Sequence, residues 1–214
     1  MPLPSTEWDA LLKLGRTTSF EAGDELAREG DPSEFLALIV DGRVRISRSS
    51  SRGPVAVLGF RGPGTVIGEV GVLTGRTRTV TVAAVEPLIA VLIPASVFRR
   101  HLEDRPALSL ALLDQLAHWL QDADTRHRDQ VSGDATARVA ARLLDLAAQW
   151  GIDEAGGRRV TLPLTQDELA GYAGASLEST ARALRTLRSA GWLQTARREI
   201  TLLDTPALRA RADA

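Results

Sequence analysis

The chain contains no cysteine. That absence excludes a disulfide framework, thiol catalysis, cysteine-ligated zinc and cysteine-held iron–sulfur clusters. Lysine is nearly absent as well: Lys13 is the only one among 26 basic residues. Positive charge therefore comes almost entirely from arginine, whose planar fork of donors suits bidentate contacts to phosphate and base edges. No stretch is long and apolar enough to read as a spanning helix, and none resembles a signal peptide, so a cytoplasmic protein with no membrane partner is expected. Excess charge of one sign is also lacking. A formal net charge of −1 gives no global attraction to nucleic acid, so any such binding must come from a local patch.

What the chain does have is a change of texture. Before residue 105 it is short, strand-like and rich in glycine; after residue 130 it is helical and rich in arginine. Between them, residues 106–130 predict one long helix, opened by Pro106 at the first turn, where a missing N–H costs nothing. A seam at 3.5-residue spacing runs Leu113, Leu116, Leu120, Ala123, His127, Gln130. That spacing suits pairing with a second copy of the chain, and its two polar last positions leave the far end tunable. A buried helix of a single subunit is the alternative.

Residues 6–14 predict a short helix. Strands are predicted at 35–40, 43–47, 55–60, 66–67, 78–85 and 88–93, with Asp41-Gly42 as a two-residue hairpin turn. Many short antiparallel strands imply a small barrel or roll, followed by a short helix at 95–102. Residues 131–135 (VSGDA) form the predicted hinge, with Asp134 as cap of a helix carrying Val139, Leu143, Leu144 and Leu146. Residues 151–159 read as a polar loop. The fold class is thus α+β: an N-terminal antiparallel, jelly-roll-like β-roll (residues 1–104), a central dimerisation helix (105–130) and a C-terminal winged helix-turn-helix domain (131–214).

Gly68-Glu69-Val70-Gly71, followed by Arg78-Thr79, is the most informative stretch of the first half. A glycine at a strand end lets backbone N–H groups approach an anionic oxygen. Arg78 can clamp that oxygen, Thr79 can add a hydroxyl donor, and Glu69 can accept from sugar hydroxyls. An acceptor for ribose beside a clamp for phosphate describes a nucleotide site; a Glu69–Arg78 surface salt bridge is the plain structural reading.

In the second half, Thr165-Gln166-Asp167-Glu168 is a capping box that opens a helix through about Tyr172. Ala173-Gly174-Ala175 is a tight turn, and Ser176 caps the next helix, 177–190. Helix, short turn, helix is the helix-turn-helix pattern. Ala183, Leu184 and Leu187 share its inner face with Thr180 beside them, while Leu177, Glu178, Ala181, Arg182, Arg185 and Arg188 form the outer one. Arg197 and Arg198 fall at the tip of a last hairpin, where a wing would touch phosphate. Trp192 reads as a core residue, and a helical tail follows Pro206.

The first motif resembles the phosphate-binding segment of the cyclic-nucleotide-binding domain, with Glu21-x-Gly23-Asp24, Gly30-Asp31 and Gly42 fitting around it. The stretch from Ser176 to Arg182 resembles the S-R-E-T-V-x-R recognition sequence of the CRP/FNR superfamily of transcription regulators, and the likeness covers nearly the full chain. The resemblance implies a homodimer on a palindromic double-stranded operator, with RNA polymerase as a further partner that the 151–159 loop could meet. It implies ligand contacts at Gly68, Glu69, Val70, Gly71, Arg78, Thr79, Ala123 and Asp124. DNA contacts are implied at Thr165, Gln166, Ser176, Leu177, Glu178, Thr180, Arg182, Arg185 and Arg197, with Glu178 facing a cytosine amino group and Arg182 a guanine edge.

Three departures qualify the likeness. Val80 stands where the family usually has a small alanine, which narrows the pocket floor. Leu177 replaces a guanine-reading arginine, so one base of the usual half-site is read differently or not at all. Ala123 and Asp124 stand where cAMP-binding members carry hydroxyls for adenine. Alanine offers no hydrogen bond, and an ionised Asp124 repels adenine N1 yet can accept from guanine N1–H and N2–H. Thr125, one place on, could restore adenine binding, and Asp124 could equally be a solvated helix residue. The expected ligand is a cyclic nucleotide or similar small anion, with cAMP doubtful and a guanine nucleotide at least as plausible. No metal, haem or iron–sulfur cluster is expected, since His101, His118 and His127 all lie in or just before the long helix. A regulator of the same fold with a vestigial pocket, binding DNA without ligand, is the alternative. An enzyme is disfavoured because no second carboxylate, histidine or metal-ligand cluster accompanies Glu69 and Arg78.

Overall fold

The computed structural model describes residues 3–49, 55–132 and 134–214, without the side chains of 127–132. The chain divides into two compact units, Met1–Ser49 with Leu58–Ala123, and Ser50–Val57 with Asp124–Ala214.

The first unit opens with helix α1 (Ser5–Leu12), then β1 (Arg16–Phe20), β2 (Glu25–Ala27), β3 (Phe35–Asp41) and β4 (Val44–Arg48). It continues through β5 (Ala56–Arg61, in this unit from Leu58), β6 (Val66–Ile67), α2 (Glu69–Thr74), β7 (Thr81–Ala84), β8 (Leu88–Pro94) and α3 (Ala95–Glu103). Strands β1-β8-β3-β6 form one sheet and β2-β7-β4-β5 the other, which makes a two-sheet roll. Strand β3 shows how the sequence builds both cores at once. Its residues Leu36 and Leu38 face a cluster with Leu11 of α1, Phe98 of α3, and Leu108 and Leu112 of the long helix. The alternate residues Ala37 and Ile39 face the inter-sheet cluster with Val44, Ile46, Val82 and Ala90. Burial on both faces explains why this strand is an unbroken apolar run rather than an alternating one.

Asp41-Gly42 does not make the expected hairpin. Strand β3 belongs to one sheet and β4 to the other, so this turn carries the chain between sheets. Gly42 has φ of 78° and lies so close to the Pro87 carbonyl that a Cβ there would collide with it. Three further differences concern strand limits. Strands β1 and β2 carry little apolar signal and are absent from the sequence expectation; β1 is held by pairing to β8 from Arg16↔Leu92 to Phe20↔Leu88. The last inner strand begins at Thr81, not at residue 78, because the Arg78 amide and carbonyl are taken by Asp31 O and Gly30 N–H.

Helix α4 (Pro106–Ser132) extends the expected long helix by two residues. The side chains of His127 and Gln130, the hinge residue Gly133 and most of the 49–54 break lie outside the described residues. The second unit then comprises α5 (Ala135–Trp150), β9 (Gly151–Glu154), β10 (Gly157–Val160), α6 (Gln166–Ala173) and α7 (Leu177–Ser189). It ends with β11 (Leu193–Ala196), β12 (Glu199–Leu202) and α8 (Thr205–Ala212). The Asp134 side chain caps α5 by accepting from the Ala137 N–H at 2.8 Å. Its carboxyl is held below the ordinary range by that bond and by Arg211.

Residues 151–159 are a β-hairpin, not a loop. Strand β10 pairs with both β9 and β12, and the charges that looked like loop polarity join the strands as Arg158–Asp153 (2.8 Å) and Arg159–Glu154 (2.7 Å). Val139, Leu143 and Leu146 of α5 pack in the core as expected, whereas Leu144 and Trp192 are only partly buried.

Candidate functional sites

In the first unit, β6 delivers the chain to Gly68, which caps α2 with φ of 91°. A Cβ at Gly68 would collide with the Arg78 guanidinium, and one at Gly71 with the Ser33 hydroxyl, so both positions need their bare backbone. Glu69, the first residue of α2, is 2 % exposed, and its Oε2 has no hydrogen-bond partner among the described residues. Burial raises the Glu69 carboxyl to about pH 7. Its own N–H, Arg61, the Val70 N–H and Arg78 pull the other way without compensating fully. A buried acceptor left open at the head of a helix is ready to take a ligand hydroxyl.

Arg78 is buried rather than extended into solvent. Its guanidinium donates to Phe35 O at 2.5 Å and Gly68 O at 3.3 Å and lies 4.5 Å from the centre of the Phe35 ring. No Glu69–Arg78 salt bridge is present among the described residues; the two act on each other through the field. Burial lowers the Arg78 pKa, and Glu69 and Asp31 oppose that. Thr79 is exposed, and its carbonyl accepts from Arg48 at 3.1 Å. Val70 is 38 % exposed on the outer side of α2, and Val80 packs at the edge of the inter-sheet core. The structure thus gathers Gly68, Glu69, Gly71 and Arg78. Ala123 and Asp124 are exposed on α4, the one closing the first unit and the other opening the second.

Sequence reasoning missed three residues beside this cradle. Arg61, at the end of β5, stacks on Trp119 of α4 at 4.6 Å and donates to Phe60 O at 2.8 Å. Gln115, 2 % exposed, donates to Val66 O at 3.3 Å. The signal was a second stripe on α4 (Leu108, Leu112, Gln115, Trp119), recurring every three or four residues about a quarter-turn from the seam.

Most of the described seam lies open. Leu110, Leu113 and Leu120 are 67 %, 61 % and 64 % exposed, whereas Leu116 is partly buried. Of the histidines with described side chains, His118 donates from Nδ1 to the Asp114 carbonyl of its own helix at 2.8 Å. His101 has a buried Nε2 at the end of α3. Among the described residues no group of three or more potential ligands is placed to hold a metal ion. None of the described helices is long and apolar enough to cross a membrane.

In the second unit the capping box forms as written in the sequence: Thr165 Oγ1 accepts from the Glu168 N–H, and Glu168 accepts from the Thr165 N–H and hydroxyl. That hydroxyl is committed to the cap, while Gln166 is exposed beside it. Gly174 ends α6 in the left-handed conformation, and Arg138 of α5 donates to the Ala173 and Gly174 carbonyls, fixing the turn. Ser176 caps α7 by accepting from the Ser179 N–H at 3.1 Å.

Thr180 is a correction. It is fully buried beside Ala183, Leu184 and Leu187, so it packs the domain core and does not face a groove. Leu177, Glu178, Arg182, Arg185 and Arg188 remain on the open face. Glu178 and Arg182 pair with each other at 2.7 Å. Arg188 ties α7 to β11 through the Thr195 hydroxyl at 3.3 Å. Arg197 and Arg198 are exposed at the β11–β12 turn, with Arg198 at φ of 57°.

Comparison with known proteins matches both halves. Residues 17–105 fit the cyclic nucleotide-binding domain family, and residues 137–211 fit the Crp-like helix-turn-helix domain family. The chain is 32 % identical over 203 residues to a CRP-like cAMP-activated global transcriptional regulator of Mycobacterium tuberculosis, covering 95 % of this chain and 91 % of that one. A solved CRP/FNR-family transcriptional regulator of Thermus thermophilus is 26 % identical with a TM-score of 0.78, covering 93 % and 99 %. The c-di-GMP responsive global regulator CLP of Xanthomonas campestris shares the fold at 23 % identity and a TM-score of 0.83, covering 93 % and 99 %. With a cyclic-nucleotide-binding fold before a long helix and a Crp-like helix-turn-helix after it, the chain belongs to the CRP/FNR family of DNA-binding transcription regulators.

Proposed function

We propose that this regulator acts as a homodimer whose hold on a palindromic operator is set by a small anionic ligand, a cyclic nucleotide, seated at Gly68, Glu69, Gly71 and Arg78. The observation that carries the reading is Glu69: 2 % exposed, headed by the Gly68 cap, with one carboxylate oxygen unpartnered among the described residues. Natural cores leave few such groups open, and a ribose hydroxyl would satisfy this one. Arg78, whose charge acts on Glu69, favours an anionic group in the same ligand. Arg78 would turn from the Gly68 and Phe35 carbonyls to meet that group, with Val70 and Thr79 next to Glu69 and Arg78 in the chain.

The Mycobacterium tuberculosis relative is cAMP-activated, which makes cAMP the first ligand to test. Asp124, an acceptor where adenine offers no N1 donor, favours guanine over adenine. The exposed leucine stripe of α4, with Leu113 and Leu120 seven residues apart, supports helix pairing between two copies. Two copies present two α7 helices, and therefore read two half-sites. In each, Glu178 and Arg182 would exchange their mutual ion pair for base edges, Leu177 would meet a thymine methyl, and Arg185 would lie along the same groove. Thr165, Gln166, Ser176 and Arg197 would contribute contacts to backbone phosphate, Gln166 and Arg197 from exposed positions.

Calorimetric titration with cAMP and cGMP tests the ligand. A micromolar site lost in Arg78→Ala is expected. No heat with either nucleotide would refute the ligand and leave a regulator that binds DNA unaided.

A further inference from the structure

We propose that Arg61, Trp119 and Gln115 form a strut through which α4 senses the state of the Glu69 site. The inference rests on the ligand-modulated reading above and names the residues of this chain that transmit it. Trp119 and Gln115 lie one helical turn apart on the inward stripe of α4, Gln115 buried and Trp119 half-buried. Each grips the chain on one side of the cradle. Gln115 donates to the carbonyl of Val66, three residues before Glu69. Trp119 carries the Arg61 guanidinium, 4.6 Å from its ring centre, at the end of the preceding strand.

Arg61 is the pivot. A guanidinium can stack on a ring through its face while it bonds in its own plane. Here one terminal N–H is spent on Phe60 O, and the charge acts on the Glu69 carboxylate more strongly than that of Arg78 does. A ligand that bonds Glu69 and brings its own negative group changes what attracts Arg61, so the guanidinium slides on the indole face and α4 feels the change. Gln115 supplies a second bistable contact. Its Oε1 is buried and lacks a hydrogen-bond partner among the described residues, so the present arrangement leaves one acceptor of the amide unused. A small displacement of β6, or a rotation of that amide, lets the pair settle differently. Two such contacts on one rigid helix give α4 discrete seats rather than a continuum. The helix that carries both contacts continues in sequence to Ser132, so the chain that follows them leads into the second unit.

The test is hydrogen exchange on the full chain, with and without saturating cAMP or cGMP, in wild type, Arg61→Lys and Trp119→Leu, alongside calorimetry on each. Lysine keeps the charge near Glu69 but loses the flat stack, so Arg61→Lys decides the matter even if Trp119→Leu folds poorly. In wild type the nucleotide should alter protection across residues 113–126. Both variants should keep nucleotide affinity within about tenfold, the span of one ring–cation contact, while that change in α4 disappears. A purely structural strut would lower protection equally with and without nucleotide and leave the ligand response intact. That result overturns the proposal while the ligand reading stands. Loss of nucleotide binding in Arg61→Lys would also overturn it, by making Arg61 a ligand contact. Absence of binding in wild type would remove the ligand reading, and the strut with it.

Discussion

Replacing Glu69 with glutamine should stabilise the ligand-free roll at alkaline pH. The buried carboxyl titrates near pH 7, against an ordinary value of 4.5, so the folded state holds its proton where the unfolded state has lost it. Below about pH 4.5 both states are protonated and the group contributes nothing. As pH rises toward 7 the unfolded chain gains an ionised, well-solvated carboxylate that the fold cannot match, and stability falls. Above 7 the full penalty remains. At ~1.4 kcal/mol per pH unit, the gap between 4.5 and about 7 amounts to about 3 kcal/mol. Glutamine keeps the shape and removes the charge, so the variant should exceed wild type by about that amount at pH 8 and converge with it toward pH 5. Hydrogen exchange of the β3 amides (Phe35–Asp41), corrected for intrinsic rates, reads this unit separately from the other. Equal stability at pH 8, or a difference that does not change with pH, would refute the argument that burial governs this carboxyl.

Other expectations follow from named contacts. Leu113→Glu places a charge on the exposed seam and should shift sedimentation from dimer to monomer. Arg182→Ala should cost ~1–3 kcal/mol of discrimination at one base position in each half-site, read by competition among duplex variants. Arg197→Ala should weaken all sequences alike and reduce the slope of log affinity against log salt by about one per wing. Leu177→Arg adds a donor fork to the open face of α7, and in-vitro selection should then recover a guanine at one further position per half-site. Thr165→Ala removes the Oγ1 that accepts from the Glu168 N–H, leaves the reciprocal backbone bond, and should cost about 1 kcal/mol of stability in the second unit by urea titration.

Local chemistry was legible in the sequence wherever a residue acts on its near neighbours. The Thr165–Glu168 box and the Ser176 and Asp134 caps depend on contacts within four residues, and the inner face of α7 shows as an apolar repeat of that length. Pairing between distant segments was not. Strand β1 reads as polar, because it is an edge strand held by backbone bonds to β8. The 151–159 segment looked like a loop because its charges are satisfied across a hairpin that also joins β12. Asp41-Gly42 has the turn chemistry of a hairpin, yet the sheets on either side of it are decided by β8 and β7, some fifty and forty residues on.

The candidate site divides the same way. Gly68-Glu69 and Arg78 could be found from spacing, since strand end, helix cap and returning arginine follow one another in the chain. That Arg78 is folded onto the Phe35 and Gly68 carbonyls, and that Arg61 rests on Trp119, required the roll and α4 to be in place. Thr180 stands within the recognition stretch at the position of the motif's valine, and its phase on α7 points it at the core, where it is fully buried.

The most direct test of ligand-controlled DNA binding is fluorescence anisotropy with a palindromic duplex obtained by in-vitro selection, titrated with protein in the presence and absence of saturating cAMP or cGMP. The expected result is a Kd lowered by roughly 5- to 150-fold with one of the nucleotides, the usual range of coupling between two sites, and unchanged by it in Arg78→Ala. An identical Kd with and without either nucleotide in the wild-type protein would contradict the account.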